Sequence, residues 1–306
     1  MGDGAPLEQP PPVGRGSPFG SSLLLETGVD GIYGFGPDAV RIVDGVERAV
    51  RSLGDGRYEV VRFPPVVPRA LLERTGYARS FPDLLGVVET FLGGDEGHRR
   101  LLRSLDRGED WTAELETSDV ALCPAACQPL YGTIRDVLPP GGRRFDVCGH
   151  VFRHEPSGDP ARMMSFRQYE YVYVGDAAAA VSHRDEWLER AADLLAGLGV
   201  GVDVAPASDP FYGRAGRPLA ESQREMELKY EVVGATGKDA PSTALASSNC
   251  HLDHFGSEFA IATSTGEVAH SACVGFGLER IALALLHGHG EDVAAWPRAA
   301  RSRLGL

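Results

Sequence analysis

The sequence predicts an α+β fold built on a mainly antiparallel β-sheet, and three observations support this prediction. Segments rich in β-branched and aromatic residues occur through the middle of the chain, at residues 145–175, 202–205 and 227–233. Helical patterns flank this region, at residues 38–53 and 275–286. Strands that outnumber the helices between them favour antiparallel pairing, with the helices packed outside the sheet.

The chain begins with a Pro- and Gly-rich stretch, residues 1–20, which is poor in apolar groups and is predicted to be a disordered tail. We expect a single folded domain over residues 21–306. Its first element is an amphipathic helix at 38–53, where valine and isoleucine recur at helical spacing. A strand at 58–63 follows and ends at Pro64-Pro65, because proline has no amide N–H to give to a ladder.

The predicted elements then continue toward the carboxyl end. Residues 96–107 are charged and predict a surface helix or loop, and residues 145–175 predict two antiparallel strands joined by a turn of about eight to ten residues. Residues 182–198 predict a helix with an apolar inner face. The remaining predictions are strands at 202–205, 227–233, 244–254 and 259–263, and a helix at 275–286 that begins at a glycine pair.

Composition limits the class of protein. A chain of 306 residues with 43% hydrophobic residues can bury a sizeable core. No apolar run approaches the roughly 18 residues of a membrane span, and residues 1–22 do not resemble an export signal, so we expect a cytoplasmic protein without membrane association. The net charge of -13 argues against nucleic-acid binding through bulk electrostatics.

Residues 145–175 carry the polar side chains of a candidate nucleotide site. Arg153 and Glu155 follow the first predicted strand, and Arg162 and Phe166 precede or open the second. A guanidinium can bind phosphate through two parallel hydrogen bonds, and an aromatic ring can stack on adenine. The pattern favours ATP bound over a sheet, and a surface hairpin with a structural ion pair is the alternative.

The segment GFGLER, residues 275–280, is the second candidate. Neither a GxxxxGK[ST] loop nor a GxGxxG loop after a strand occurs, so a P-loop or Rossmann site is not expected. The two glycines permit close backbone approach, and burying the Arg280 guanidinium without a partner would be costly. Arg280 therefore contacts either an anion such as a nucleotide or a structural carboxylate.

The five cysteines are odd in number and scattered, which disfavours a disulfide scaffold and leaves metal binding or burial. Cys127, Glu170 and Cys273 would give zinc three ligands and leave one tetrahedral position open. Sequence spacing alone does not show that they meet, and cysteines are often small buried hydrophobic residues. Cys123 and Cys127 form a CxxxC pair without a second pair at zinc-ribbon spacing, and Cys148 is expected in the core.

Together these segments resemble the catalytic core of class II aminoacyl-tRNA synthetases of the seryl type. The first helix and the strand ending at Pro64-Pro65 resemble that class's first motif, which usually builds a dimer interface. Residues 152–170 resemble the second motif and residues 275–280 the third, while SSNCHLDHFG, residues 247–256, is similar to the Ser-Asn-Cys segment of seryl enzymes. The resemblance covers roughly residues 25–290, with three motifs in order.

Two features narrow the family. Seryl-tRNA synthetases carry a helical arm before the core, where this chain has a short Pro-rich stretch, and residues 209–231 have no ready counterpart in ordinary seryl enzymes. Both features resemble the amino acid:[carrier protein] ligases, truncated homologues of the archaeal-type seryl enzymes. The resemblance implies activation of glycine or alanine with ATP and transfer to the phosphopantetheine thiol of an acyl carrier protein, with tRNA not expected as a substrate.

The resemblance also assigns roles to residues. It implies a zinc site at Cys127, Glu170 and Cys273, in an enzyme that acts as a homodimer. Arg153 would bridge the substrate carboxylate and the α-phosphate, and Phe166 and Arg280 would enclose adenine. The remaining implied ATP contacts are Glu155 on the exocyclic amine and Arg162 on the outer phosphates.

Three further expectations remain open. Glu231 is the expected Mg²⁺ ligand, although residues 242–247 lack the second acid that other class II sites place before the Ser-Asn-Cys segment. Asn249 is either a substrate-pocket residue or a tie between strands. A carrier-docking insertion is expected near residues 209–226, where three arginines face either an acidic carrier or solvent; they are Arg214, Arg217 and Arg224.

Three rival functions differ from this interpretation. A tRNA-charging synthetase is opposed by the missing arm and the acidic charge. A non-catalytic paralogue is opposed by the retained motif arginines. Transfer of the adenylate to a small molecule is left open by the sequence.

Overall fold

The computed structural model describes residues 23–135, 137–238 and 240–306, with the side chain of Ala215 left out. The predicted tail at residues 1–20 lies outside the described residues. Among the described helices, none combines the length and the apolar character needed to cross a bilayer.

The described strands are β1 (Leu24–Glu26), β2 (Tyr33–Phe35), β3 (Glu59–Val61), β4 (Val66–Pro68), β5 (Val87–Thr90), β6 (Glu116–Leu122), β7 (Arg143–Phe152), β8 (Ser165–Gly175), β9 (Val202–Pro206), β10 (Lys229–Gly234), β11 (Thr243–Leu252) and β12 (His270–Gly277). The described α-helices are α1 (Pro37–Arg51), α2 (Arg69–Arg74), α3 (Tyr77–Ser80), α4 (Asp95–Arg107), α5 (Gln128–Tyr131), α6 (Ala177–Gly197), α7 (Gly213–Glu225), α8 (His254–Phe259), α9 (Leu278–His289) and α10 (Arg298–Leu304).

A seven-stranded sheet organises the molecule, in the order β3-β7-β8-β12-β11-β10-β9. Its neighbouring strands pair antiparallel except for β3 and β7, which pair in parallel. The prediction of an α+β fold with a mainly antiparallel sheet is therefore confirmed. Two smaller sheets, β1-β2 and β4-β6-β5, accompany it.

The two faces of the sheet have different surroundings because side chains alternate along each strand. Tyr169 and Tyr171 of β8 point toward a core shared with α1, α6 and α9, where Tyr171 stacks on Trp187 with ring centroids 3.9 Å apart. The alternate residues Phe166 and Glu170 point to the opposite face. That face carries the candidate site.

Three local predictions were wrong. The predicted strand at 259–263 is not formed. Phe259 ends helix α8, in which Phe255 and Phe259, four residues apart, both pack beside Tyr131, and Ala262 makes only isolated bridges. The glycine pair at 275 and 277 ends strand β12, and α9 begins only at Leu278. The connection between β7 and β8 spans residues 153–164 and is longer than the predicted turn.

Candidate active site

A cavity of about 430 Å³ lies on the face of the sheet to which Phe166 and Glu170 point. Its volume falls in the range of small-molecule sites. It brings together predicted site residues from five elements and two connections. Phe166 and Glu170 lie on β8, Glu231 on β10, Asn249 on β11, Cys273 on β12 and Arg280 on α9, while Arg153 follows β7 and Cys127 immediately precedes α5.

The predicted metal ligands form a compact buried cluster at one part of this cavity. One donor atom each from Cys127, Glu170 and Cys273 lies within 4.8 Å of the other two. The Cys127 amide N–H donates to Glu170 Oε2, and the Cys273 Sγ lies 3.8 Å from Glu170 Oε1. The structure thus joins three residues that are far apart in sequence.

The acidity of these groups is shifted by burial and by their contacts with one another. Burial, together with the negative charge of Cys273, raises the pKa of Glu170 to about 8. The hydrogen bond to Cys273 and burial raise the pKa of Cys127, and the same hydrogen bond lowers the pKa of Cys273. The cluster alone therefore retains protons that a divalent cation would displace, and two thiolates with a carboxylate are ligands that zinc accepts.

Neighbouring side chains hold the cluster in place. Asn249 lies opposite Cys273 in the β11-β12 ladder, with its Nδ2 3.9 Å from the Cys273 Sγ. His251 Nε2 lies 3.6 Å from the same sulfur, and His251 Nδ1 lies 3.0 Å from Ser271 Oγ. Asn249 therefore lines the cavity and also contacts the next strand.

Gly275 permits a close approach between β12 and β8. A Cβ atom at this position would lie 2.9 Å from Gln168 Nε2 and 3.2 Å from Glu170 Oε1. Gln168 in turn accepts a hydrogen bond from the Ala126 amide at 3.1 Å, next to Cys127. A side chain at 275 would therefore displace the residues that position the Cys127–Glu170–Cys273 cluster.

Two arginines flank an aromatic ring in the same cavity. The guanidinium carbons of Arg153 and Arg280 lie 5.8 Å and 5.6 Å from the centre of the Phe166 ring. Arg153 donates to the carbonyl of Pro124, and Arg280 donates to carbonyls on two other segments.

The positive charges of these two arginines act on one another. Among the described residues no carboxylate forms an ion pair with Arg153 or Arg280. Burial lowers the pKa of Arg280, and the positive charge of Arg153 lowers it further. A structural salt bridge at Arg280 is therefore not found among these residues, and the pair is available to bind an anion.

Glu155 and Arg162 are arranged differently. They pair with one another, with Arg162 Nη1 3.6 Å from Glu155 Oε2, and Arg162 is 56% exposed. Both lie outside the lining of the cavity as described. Their arrangement is that of a surface ion pair, the alternative weighed from the sequence for this hairpin.

Glu231 lines the cavity but already has a cationic partner. Lys229 Nζ lies 3.0 Å from Glu231 Oε1 and 2.8 Å from Asp209 Oδ1, and the lysine side chain is only 10% exposed. Asp209 also contacts Gln223 of α7 through two hydrogen bonds, at 2.6 Å and 2.9 Å. The expected Mg²⁺ ligand therefore belongs to a polar network.

The expected docking arginines lie on the surface. Arg214, Arg217 and Arg224 are all exposed side chains of α7. Among the described residues none of them has an acidic partner within ion-pair distance. The structure places them on the helix that follows Asp209.

Sequence reasoning missed Gln168, His251 and Lys229. Each lies two residues from a predicted site residue on the same strand: Gln168 from Glu170, His251 from Asn249 and Lys229 from Glu231. Because strand residues two apart point to the same face, period-two spacing was the available signal. Asp209 and Gln223 carried no comparable signal, since only the fold brings them to β10.

No model of a known protein family matches this chain. The chain is 40% identical over 299 residues to amino acid–[acyl-carrier-protein] ligase 2 of Bradyrhizobium diazoefficiens, which covers 97% of this chain and 90% of that protein. It is 41% identical over 286 residues to ligase 1 of the same organism, covering 93% of this chain and 88% of that protein.

More distant relatives are tRNA synthetases. The type-2 serine–tRNA ligase of Methanopyrus kandleri is 27% identical over 290 residues, covering 85% of this chain and 53% of that protein. A solved structure of M. kandleri seryl-tRNA synthetase with tRNASec superposes with a TM-score of 0.76 at 24% identity, over 92% of this chain and 58% of that one. The chain thus spans little more than half of these synthetases, whose fold it shares.

The two ligases cover nearly the whole chain at 40% identity or more, whereas the synthetases match at lower identity over part of their own length. The chain therefore belongs to the family of amino acid–[acyl-carrier-protein] ligases.

Proposed function

We propose that this protein activates glycine or alanine with ATP as an aminoacyl-adenylate and transfers the aminoacyl group to the phosphopantetheine thiol of an acyl carrier protein. One observation carries the proposal: a single cavity contains both a buried Cys-Glu-Cys cluster and two arginines, without acidic partners among the described residues, beside an aromatic ring. The names of the two Bradyrhizobium diazoefficiens ligases support an amino acid and an acyl carrier protein as the substrates.

The Cys127–Glu170–Cys273 cluster is proposed to hold zinc, and the donor set and the burial support this assignment. When bound, zinc would take the substrate α-amine at its remaining position and so select amino acids over hydroxy acids. Gln168, Asn249 and His251 crowd the cluster, which supports a substrate with a small side chain. His251, by hydrogen bonding to Cys273, would orient that ligand.

In the first half-reaction a carboxylate oxygen of the amino acid attacks the α-phosphorus of ATP, and pyrophosphate leaves. Arg153 is proposed to bridge the carboxylate and the α-phosphate and to stabilise the charge that develops on phosphorus. Phe166 and Arg280 would enclose adenine, as their shared position in the cavity supports. Glu155 and Arg162 would reach the adenine amine and the outer phosphates only by leaving their mutual ion pair.

Magnesium is proposed to accompany ATP, as it does in other phosphoryl-transfer sites, with Glu231 as the protein ligand. Glu231 faces the cavity and has one oxygen 3.0 Å from Lys229 Nζ. This ion pair takes up one oxygen of the expected ligand, and residues 242–247 offer no second acid. Lys229 would therefore reduce the number of carboxylates available to magnesium.

In the second half-reaction the carrier thiol attacks the adenylate carbonyl, forming a thioester and releasing AMP, while the thiol proton is lost to a phosphate oxygen or to water. No protein nucleophile is required. The carrier is proposed to dock on α7 through Arg214, Arg217 and Arg224, whose exposure and lack of acidic partners among the described residues support this role.

A homodimer is proposed to form through the first helix and β3. Strand β3 is an edge of the seven-stranded sheet, and Val60 on it is 67% exposed. An exposed apolar edge strand is a site for pairing with another chain.

The proposal is tested by ATP–pyrophosphate exchange across the amino acids, with and without zinc chelation. Exchange with glycine or alanine that is lost on chelation and restored by zinc is the expected result. Failure of every small amino acid to support exchange would instead favour a non-catalytic paralogue.

A further inference from the structure

Helix α7 is not held in place by a hydrophobic face. Of its described residues only Gly216 is buried, and Leu219 is 51% exposed. A helix that buries so little apolar surface gains little stability from packing. Its position relative to the cavity must therefore depend on specific tethers.

The strongest tether is polar and runs directly to the cavity. Asp209 accepts from Gln223 Nε2 at 2.9 Å, and the Asp209 amide donates to Gln223 Oε1 at 2.6 Å, so two hydrogen bonds tie the last turn of α7 to one residue. Lys229 Nζ then joins Asp209 at 2.8 Å and Glu231 at 3.0 Å. Four side chains thus connect α7 to a strand of the cavity.

The electrostatics of this chain agree with its geometry. Burial alone would lower the pKa of Lys229, yet the charges of Asp209 and Glu231 raise it overall. Burial likewise tends to raise the pKa of Asp209, but Lys229 and Gln223 lower it overall. Both groups are therefore charged at neutral pH, and the hydrogen bonds between them are of the stronger, charge-assisted kind.

A second tether fixes the segment between Asp209 and α7. Phe211 stacks on Phe81 with ring centroids 5.2 Å apart, and the Tyr212 amide donates to the Ser80 carbonyl at 2.9 Å. Phe211 and Asp209 both line the cavity. This segment is therefore a wall of the cavity and also the base of α7.

We infer that the Gln223–Asp209–Lys229–Glu231 network positions α7 relative to the cavity, so that carrier loading depends on it more than adenylate formation does. Gln223 and Asp209 are positioning residues in this account, since they act on the carrier through α7. The inference rests on the proposed function, because it assumes that the carrier docks on α7.

The test compares Gln223→Met, Asp209→Asn and the double variant, with Glu221→Gln as a control at an exposed position of the same helix. Each protein is assayed for ATP–pyrophosphate exchange and for loading of a phosphopantetheinylated carrier. We expect each single variant to raise the KM for carrier about tenfold, because each weakens the charge-assisted contacts of Asp209, and to change exchange several times less.

Non-additivity is the second readout. Because the two residues act in one chain, the double variant should be no more than about twofold worse than the worse single variant. A carrier KM that is unchanged, fully additive effects, or an equal loss in exchange would each overturn the inference. If the wild-type protein exchanges pyrophosphate but loads no carrier, the proposed function fails instead, whatever the variants do.

Discussion

At the scale of single residues, the site depends on a few side chains that only the fold brings together. Cys127, Glu170 and Cys273 are separated by long stretches of sequence, yet their donor atoms lie within 4.8 Å of one another. Removing one ligand leaves two donors, which hold zinc far more weakly than three.

We predict that Cys273→Ser and Glu170→Gln lower the zinc content from about one ion per chain to near zero, because each removes one of the three ligands. Zinc per chain, measured by atomic emission after gel filtration, checks this. Cys148→Ser is the matched control, since Cys148 lies outside the cluster. Full zinc occupancy in either ligand variant would contradict the assignment.

Arg153 carries the second prediction at this scale. Arg153→Ala should slow ATP–pyrophosphate exchange by about a hundredfold or more, as expected when a preorganised donor to the reacting phosphate is lost. Arg57→Ala is the control, because Arg57 pairs with Asp55 on the surface, away from the cavity. An Arg153 variant with wild-type exchange would remove this residue from the chemistry.

Gly275 links the residue scale to the strand that contains it. Gly275→Ala would place a Cβ 2.9 Å from Gln168 Nε2, so we expect the side chains around Glu170 to shift and zinc affinity to fall about tenfold or more. Competition with a zinc-binding dye measures this affinity. Gly94→Ala is the control, because a Cβ there meets no atom within 4 Å.

At the scale of elements, the sequence was sufficient to predict the long periodic segments but not the short ones. Helices α1 and α6 and the β7-β8 pair were recognisable because their apolar spacing is regular. Helix α8 was missed because it is short and lies between two segments that were predicted as strands, and its formation depends on packing against Tyr131.

The same limit applies to the site. Motif order indicated the region of Arg153, Glu170 and Arg280, whereas the neighbouring Lys229–Asp209–Gln223 network depends on contacts between elements. No spacing rule relates Asp209 to Lys229, because they are 20 residues apart with α7 between them. The pairing of β9 with β10 brings them together.

Helix α7 gives a prediction at the element scale. Reversing Arg214, Arg217 and Arg224 to glutamate should leave pyrophosphate exchange near the wild-type rate and abolish carrier loading, because an acidic carrier would then be repelled. The matched control reverses three exposed arginines of α4, which are Arg99, Arg103 and Arg107. Unchanged loading in the α7 variant would rule out docking on this helix.

Helix α6 gives a prediction about pH. Burial lowers the pKa of His183 to about 4, and the charges of Arg144 and Arg190 also act to lower it. Between about pH 6.5 and pH 4 the unfolded state binds a proton that the folded state does not, so stability falls as pH falls. The loss from this group between pH 7 and pH 4 is about 3 kcal/mol.

His183→Gln should therefore reduce the acid-induced loss of stability by about that amount. The free energy of unfolding, measured in urea at pH 7 and pH 4, checks this, with His98→Gln on the exposed surface of α4 as the control. An identical pH dependence of the unfolding free energy in wild type and His183→Gln would show that this histidine does not contribute to the loss of stability in acid.

At the scale of the whole molecule, three parts are connected: the Cys127–Glu170–Cys273 cluster, the ring of Phe166 between its two arginines, and helix α7. The first two share one cavity, and the third is tethered to its wall. Helices α1, α6 and α9 cover one face of the sheet, and the opposite face forms a wall of the cavity. This arrangement is consistent with an adenylate formed inside and handed to a partner held outside.

Transfer of labelled glycine or alanine to the carrier is the most direct test of the proposed ligase activity. The protein is incubated with ATP and either phosphopantetheinylated carrier, the same carrier without its prosthetic group, or tRNA. We expect label on the phosphopantetheinylated carrier alone, and we expect hydroxylamine to release that label because it is held as a thioester. Label on tRNA, or none on the carrier while the enzyme still exchanges pyrophosphate, would contradict it.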